Sequence, residues 1–175
     1  MKIIHTNFEN LFLIYSQLHM DKRGSLKEFF NKKQFNFNCK FQYFSNSKKN
    51  VFRGFHFQLP QQSKIVTVVK GEIIDYCLDL RKNSKTFLQI FSTKLKPNQI
   101  SSIIIPKGFA HAFLSLSNEN IILYTNDNYR NSKKEYGINL LDQKISIKLP
   151  KNIIVSEKDK KNMYLNEFFS IYGSL

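Results

Sequence analysis

The sequence has no tryptophan, only two cysteines, four prolines and six glycines among its 175 residues. Cys39 and Cys77 are isolated, each in a segment that reads as strand, which argues against a disulfide framework or a cysteine-based zinc site and fits a reducing compartment. No Pro-rich or Gly/Ser-rich stretch divides the chain, and no repeat with a period of about 20 to 50 residues is visible. Residues 1–175 therefore read as one domain, a length that can bury a real core. No apolar run approaches the roughly 20 residues that a membrane-spanning helix requires. Met1–Ser16 lacks a continuous apolar segment and a small-residue cleavage site, so the chain is expected in the cytoplasm. Long helical periodicity is nearly absent as well. What the chain has instead is 17 phenylalanines and 8 tyrosines within a 42% hydrophobic composition, enough for a packed interior.

Acidic residues are also scarce: 27 lysines and arginines face 13 aspartates and glutamates, a formal charge of +14. Such a surplus suits nucleic acid, an anionic membrane surface or a phosphorylated small molecule. Much of it is lysine spread through turn-like segments (Lys32, Lys33, Lys48, Lys49, Lys133, Lys134, Lys160, Lys161), with no RNP-like, zinc-finger or helix-turn-helix pattern around it. That distribution reads as a solvated face, with neither nucleic acid nor membrane as partner.

Short β-branched and aromatic runs separated by polar turns dominate the middle of the chain. Strands are predicted at Ile65–Val69, Ile73–Leu80, Thr86–Leu95, Ser101–Ile105, Ala112–Leu116 and Ile121–Thr125. Turn chemistry falls between them at Lys70-Gly71, Lys82-Asn83-Ser84, Pro97-Asn98, Pro106-Lys107-Gly108 and Ser117-Asn118-Glu119. This spacing predicts an all-β sandwich or small barrel. Helix is expected only in short peripheral pieces, Ser25–Asn31 and Ser156–Asn162, the second capped by Ser156.

Two histidines stand out by their surroundings. In Val51-Phe52-Arg53-Gly54-Phe55-His56-Phe57-Gln58, strand alternation puts Arg53, Phe55 and Phe57 on one face and Gly54, His56 and Gln58 on the other. In Pro106-Lys107-Gly108-Phe109-Ala110-His111-Ala112-Phe113, a turn feeds His111 into a hydrophobic strand of the same barrel. A lone strand histidine is most often just satisfied by one hydrogen bond, but glycine and cationic neighbours make these two candidates for chemistry. A metal site of the His-x-His type would need a second histidine two residues after His56 and a following glutamate. Gln58 occupies the second position and no suitable glutamate follows, so too few ligands remain and no metal is expected.

Together the ordered segments resemble the dTDP-4-dehydrorhamnose 3,5-epimerase family. They are Asp21-Lys22-Arg23-Gly24 with Glu28; Val51 to Gln58; Lys64-Ile65-Val66 and Val69-Lys70-Gly71-Glu72; Asp79-Leu80-Arg81 with Ser84 and Thr86-Phe87; Ile105 to Phe113; Tyr124; Glu135 to Ile138; and Ser156-Glu157-Lys158-Asp159. They span residues 21–159. The resemblance implies a cupin-type double-stranded β-helix, or jelly roll. It also implies a cofactor-free and metal-free reaction that inverts C3 and C5 of a nucleotide-linked 4-keto-6-deoxyhexose through an enolate.

Residue by residue, the resemblance makes His56 the base, Asp159 the carboxylate that orients it, and Tyr124 the acid. A phenol, which stays protonated at neutral pH, is a reasonable donor to an enolate. Lys64 and Arg53 match substrate contacts whose charge would stabilise the enolate. Arg23, suited to the diphosphate, and Lys158, Glu28, His111 and Glu135 match further substrate contacts. A homodimer exchanging an N-terminal strand is implied too, which would carry Arg23 and Glu28 into the neighbour's site.

The chain departs from the family at several points. Phe41-Gln42-Tyr43 stands where Gln-x-Asn is usual, and the loop from His56 to Lys64 is about two residues shorter than the family's usual loop, on the same resemblance. Leu26 replaces a common aromatic, and Thr125 and Arg130 replace a lysine and a tyrosine near the acid. These changes leave nucleotide and sugar identity open. Alternatives are a single-centre epimerase or 3,4-ketoisomerase on another nucleotide sugar, a non-catalytic sugar-nucleotide-binding cupin, and a metal-dependent dioxygenase.

Overall fold

The computed structural model describes residues Met1–Leu175. In chain order the strands are β1 (Lys2–His5), β2 (Phe12–Tyr15), β3 (Leu18–Asp21), β4 (Gly24–Lys27), β5 (Phe41–Ser47), β6 (Phe52–Gln58), β7 (Lys64–Lys70), β8 (Ile73–Asp79), β9 (Ile90–Leu95), β10 (Ile100–Ile105), β11 (Phe109–Ser115), β12 (Asn120–Asn126) and β13 (Glu135–Gly137). Two short helices follow, α1 (Glu157–Lys160) and α2 (Leu165–Tyr172). No helix is long and apolar enough to cross a membrane.

The strands pair antiparallel into a six-stranded sheet, β1-β2-β10-β7-β12-β5, and a five-stranded sheet, β13-β6-β11-β8-β9. One core lies between them, built from Leu13, Val66, Val68, Ile103, Ile105 and Ile122 of the first sheet against Ile73, Cys77, Leu95 and Phe113 of the second. This is the jelly roll that the family resemblance implies. A second core covers the other face of the five-stranded sheet, where Phe52, Phe55, Phe57, Ala110, Ala112 and Leu114 meet Leu165 and Phe168 of α2. Burial on both faces explains why β8 and β11 carry apolar residues at consecutive positions rather than alternating, with Asp75 and Asp79 of β8 and His111 and Ser115 of β11 as the buried polar exceptions.

Some expectations need correction. Ser25–Asn31 is not a helix: Gly24–Lys27 forms β4, paired with β3 in a hairpin whose turn carries an exposed Asp21–Arg23 ion pair. The segment has no buried face to hold a helix in place, and the partner strand supplies its hydrogen bonds. The strand expected over Thr86–Leu95 begins only at Ile90, because the Thr86 hydroxyl donates to Asp79 (2.7 Å) and Leu88 takes φ 62°, closing a turn. Cys39 lies outside any strand and is exposed, whereas Cys77 is buried in β8. Helix α1 is the expected one, its Ser156 hydroxyl accepting from the Asp159 N–H. Helix α2 was not anticipated, although Leu165, Phe168, Phe169 and Tyr172 carry the spacing of an apolar helical stripe.

Candidate active site

A cavity of about 390 Å³ opens between the two sheets, and eight of the ten candidate residues line it: Arg53, His56, Lys64, His111, Tyr124, Glu135, Lys158 and Asp159. Arg23 and Glu28 do not. Both are on or beside the β3–β4 hairpin, where Met20 and Leu26 are also exposed, and nothing in this chain brings them to the cavity.

Strand β6 supplies Arg53 and His56 to the same wall, contrary to simple alternation. Opposite β11, His111 pairs with His56 and Phe113 with Arg53, so four residues of β6 span what three of β11 span. This extra residue is a β-bulge. It shifts the parity of the strand, so Arg53 leaves the face it was expected to share with Phe55 and Phe57. Gly54 sits inside the bulge at φ 126°, and a Cβ there would lie 2.5 Å from the His111 carbonyl oxygen and from the Ala112 side chain. Only glycine fits both the backbone angle and the space.

His56 Nε2 lies 2.6 Å from Asp159 Oδ1. The carboxylate is buried (side chain 5% exposed) while the imidazole is 39% exposed toward the cavity. Burial pushes the Asp159 carboxyl up, but the hydrogen bond and charge of His56, the Gly54 N–H and Ser156 outweigh it and hold the group below the ordinary range. An anionic Asp159 accepts from Nε2–H, which leaves the Nδ1 lone pair as the free acceptor of the ring. A second, fully buried pair sits deeper: His111 Nε2 lies 2.7 Å from Asp75 Oδ2, and Cys77 Sγ donates to Asp75 Oδ1 at 3.4 Å. No group of three or more histidine, cysteine, aspartate and glutamate side chains is placed to hold a metal ion.

Tyr124 enters from β12 on the opposite sheet, so it faces the β6 histidine from the other wall. Burial, reinforced by neighbouring Tyr43, pushes its phenol far up. It therefore holds its proton throughout the neutral range. Its ring stacks on Tyr43 with centroids 4.6 Å apart and planes 10° apart. Lys64, at the start of β7, has its ammonium lowered by burial, with Cys77, Asp75 and Glu135 opposing. At the rim, Glu135 binds Arg130 through two hydrogen bonds (2.8 and 2.9 Å) and meets Lys158 at 3.4 Å. The Arg130 contact, followed by burial acting the other way, leaves Glu135 below its ordinary value. Arg53, Lys64, Arg130 and Lys158 outnumber the carboxylates Glu135 and Asp159 along the lining, a balance suited to an anionic ligand. No motif singles out Asp75, though a carboxylate inside the apolar run Ile73–Leu78 signals a buried partner.

The chain matches the sequence profile of the family described as dTDP-4-dehydrorhamnose 3,5-epimerase over residues 5–167. It is 35% identical over 176 residues to the dTDP-4-dehydrorhamnose 3,5-epimerase of Methanothermobacter thermautotrophicus, covering 95% of each. It is 32% identical over 181 residues to that of Escherichia coli, covering 98% of each. Among solved structures, it resembles the dTDP-6-deoxy-D-glucose-3,5-epimerase of Legionella pneumophila in complex with dTDP-4-keto-L-rhamnose (TM-score 0.89, 33% identity, 94% of this chain and 93% of that one). It also resembles the Bacillus anthracis dTDP-4-dehydrorhamnose 3,5-epimerase with TDP and PPi bound (TM-score 0.88, 33% identity, 94% and 99%).

Proposed function

The chain belongs to the dTDP-4-dehydrorhamnose 3,5-epimerase family, and we propose that it inverts C3 and C5 of a dTDP-linked 4-keto-6-deoxyhexose. The observation that carries this reading is the His56–Asp159 pair on one wall of a cationic cavity, with protonated Tyr124 on the other. His56 Nδ1 takes the proton from the carbon next to the C4 ketone, and the bonding electrons move onto the C4 oxygen to give an enolate. Asp159 balances the imidazolium so formed. Lys64 and Arg53 supply positive charge against the enolate. Tyr124 then gives its O–H proton to the opposite face of the same carbon, and the enolate electrons form the new C–H bond. Solvent resets the two groups, and the cycle repeats at the second carbon.

His111, Glu135 and Lys158 contact the substrate from the cavity wall. Relatives bound to dTDP-4-keto-L-rhamnose and to TDP with PPi support a nucleotide diphosphate as the anionic part. Arg23 and Glu28 reach the cavity of a second copy in a homodimer; their position on an exposed hairpin away from their own chain's cavity supports this. The protein acts as a single cytoplasmic domain.

The test is incubation with dTDP-4-keto-6-deoxyglucose in deuterated water, followed by NMR at C3 and C5. Deuterium is expected at both carbons and at neither with His56→Ala. With Tyr124→Phe, inversion should fall by about 10²-fold or more while exchange into the starting sugar persists. Exchange at one carbon would reduce the protein to a single-centre epimerase, and none at either in the unaltered protein would end the proposal.

A further inference from the structure

Tyr43 has no part in that proton-transfer scheme, yet it is built against the proton donor. Strand β5 is the outer edge of the six-stranded sheet, and its register puts Tyr43 directly opposite Tyr124. The two rings lie nearly parallel at 4.6 Å. The His111 ring also meets Tyr124, in a T-shaped contact at 6.3 Å and 73°. Phe41, two residues along the same strand, packs on Tyr43 with ring centroids 5.5 Å apart.

We propose that Tyr43 is a positioning residue: its ring, stacked on Tyr124, fixes the plane of the Tyr124 phenol so that the hydroxyl proton is delivered to the face opposite His56. The proposal rests on the reading of Tyr124 as the acid. The torsion that turns a tyrosine ring about its own axis is soft, so a ring in a cavity keeps one plane only where neighbours hold it. Here a face contact at 10° and an edge contact at 73° do so, and parallel, offset rings gain energy beyond simple burial. Burial and then Glu135 push the Tyr43 phenol up to about 12, so it remains neutral beside Tyr124 and adds no charge at the donor.

Positioning can be separated from mere packing because the enolate has two fates. Reprotonation from His56 returns the starting sugar carrying solvent deuterium. Reprotonation from Tyr124 gives the inverted sugar. The ratio of deuterated starting sugar to inverted product therefore reports how well the phenol is aimed, independently of how fast the enolate forms.

The experiment measures this ratio at C3 and C5 for the unaltered protein, Tyr43→Phe, Tyr43→Ala and Tyr43→Leu, with circular dichroism to check folding. Tyr43→Phe keeps the ring and is expected to keep the ratio within about twofold. Tyr43→Ala should raise it by about 2- to 12-fold, the range spanned by one aromatic stack. Tyr43→Leu fills the space without a flat face and should move the ratio the same way, which keeps the test open if the alanine variant does not fold. An unchanged ratio in the Ala or Leu variant, even with slower turnover, would overturn the proposal. So would a Phe variant that shifts as much as Ala, since the hydroxyl would then be the agent. Absence of exchange in the unaltered protein would instead remove the proton-transfer reading itself, and this inference with it.

Discussion

Replacing Asp159 by asparagine tests the proposed base at its most exposed point. The amide has nearly the shape of the carboxylate, so the packing around a side chain that is only 5% exposed survives. Two things are lost. The first is the charge at 2.6 Å from His56 Nε2, which stabilises the imidazolium formed when the sugar proton is taken. A hydrogen bond to a charged group is worth about 1.5–3 kcal/mol, so this loss alone slows the reaction about 10- to 150-fold. The second concerns the tautomer. The Gly54 N–H points at Asp159 Oδ2 from 3.5 Å, so the amide oxygen settles there and its NH₂ turns toward Nε2. Nε2 must then accept, the ring proton moves to Nδ1, and the atom that should take the substrate proton no longer has a lone pair. Together the two losses should lower deuterium exchange at C3 and C5 by about 10³-fold or more, while ¹⁵N NMR shows the histidine proton moved from Nε2 to Nδ1. A folded variant exchanging within tenfold of the parent would refute the reasoning. Stability gives a second readout. Folding depresses the Asp159 pKa, so its contribution is present above the unfolded value near 3.9 and fades as pH falls through the lower folded one. The stability gap between parent and variant should close in that acidic window.

Lys64→Met should separate activity from stability. Folding lowers this ammonium's pKa by burial, so stability rises with pH across the window ending at the unfolded value near 10.5, and the charged form is a cost at neutral pH. The variant is expected to melt about 2–4 °C higher by differential scanning fluorimetry, yet to epimerise about 10²- to 10³-fold more slowly. Asp79→Ala removes a fully buried carboxylate that accepts from Arg81 Nε (2.9 Å), Arg81 Nη2 (2.8 Å), Ser84 (2.6 Å) and Thr86 (2.7 Å). Stranding Arg81 should cost about 3–5 kcal/mol, read as a fall in melting temperature of about 6–20 °C. Gly54→Ala should abolish soluble, folded protein, whereas Gly24→Ala, at the similar φ of 129° but with nothing within 4 Å of the added carbon, should fold with a melting point only a few degrees lower; equal behaviour of the two would show that the close approach is unimportant.

The central strands were legible because β-branched residues packed on both faces leave a compositional trace: Ile65–Val69 and Ile121–Thr125 fall within β7 and β12. Strands at the margins left less. Phe41–Ser47 mixes exposed aromatics with polar residues, and only its pairing with β12 makes it a strand. Gly24–Lys27 likewise depends on its partner rather than on its own composition. For the candidate site, the ordered motifs gave eight residues that line the cavity, and with them Arg23 and Glu28, which do not. Of the pairings, that of His56 with Asp159, 103 positions apart, came only from the family resemblance, and that of His111 with Asp75, 36 apart, did not show at all. The stack of Tyr43 on Tyr124 escaped notice because it depends on the β5–β12 register.

The extra residue in β6 has a consequence for how this chain can vary. Arg53 and His56 belong to different reading frames of the pleat, joined by one unpaired position. A substitution at either end alters one side chain. A one-residue deletion between them would let β6 zip evenly against β11, and one of the two would then swing to the far side of the sheet while every neighbour kept its identity. Length in this segment is therefore inherited as a trait in its own right, beside the requirement for glycine at 54, and a change of count between 53 and 56 should be as damaging as the loss of that glycine.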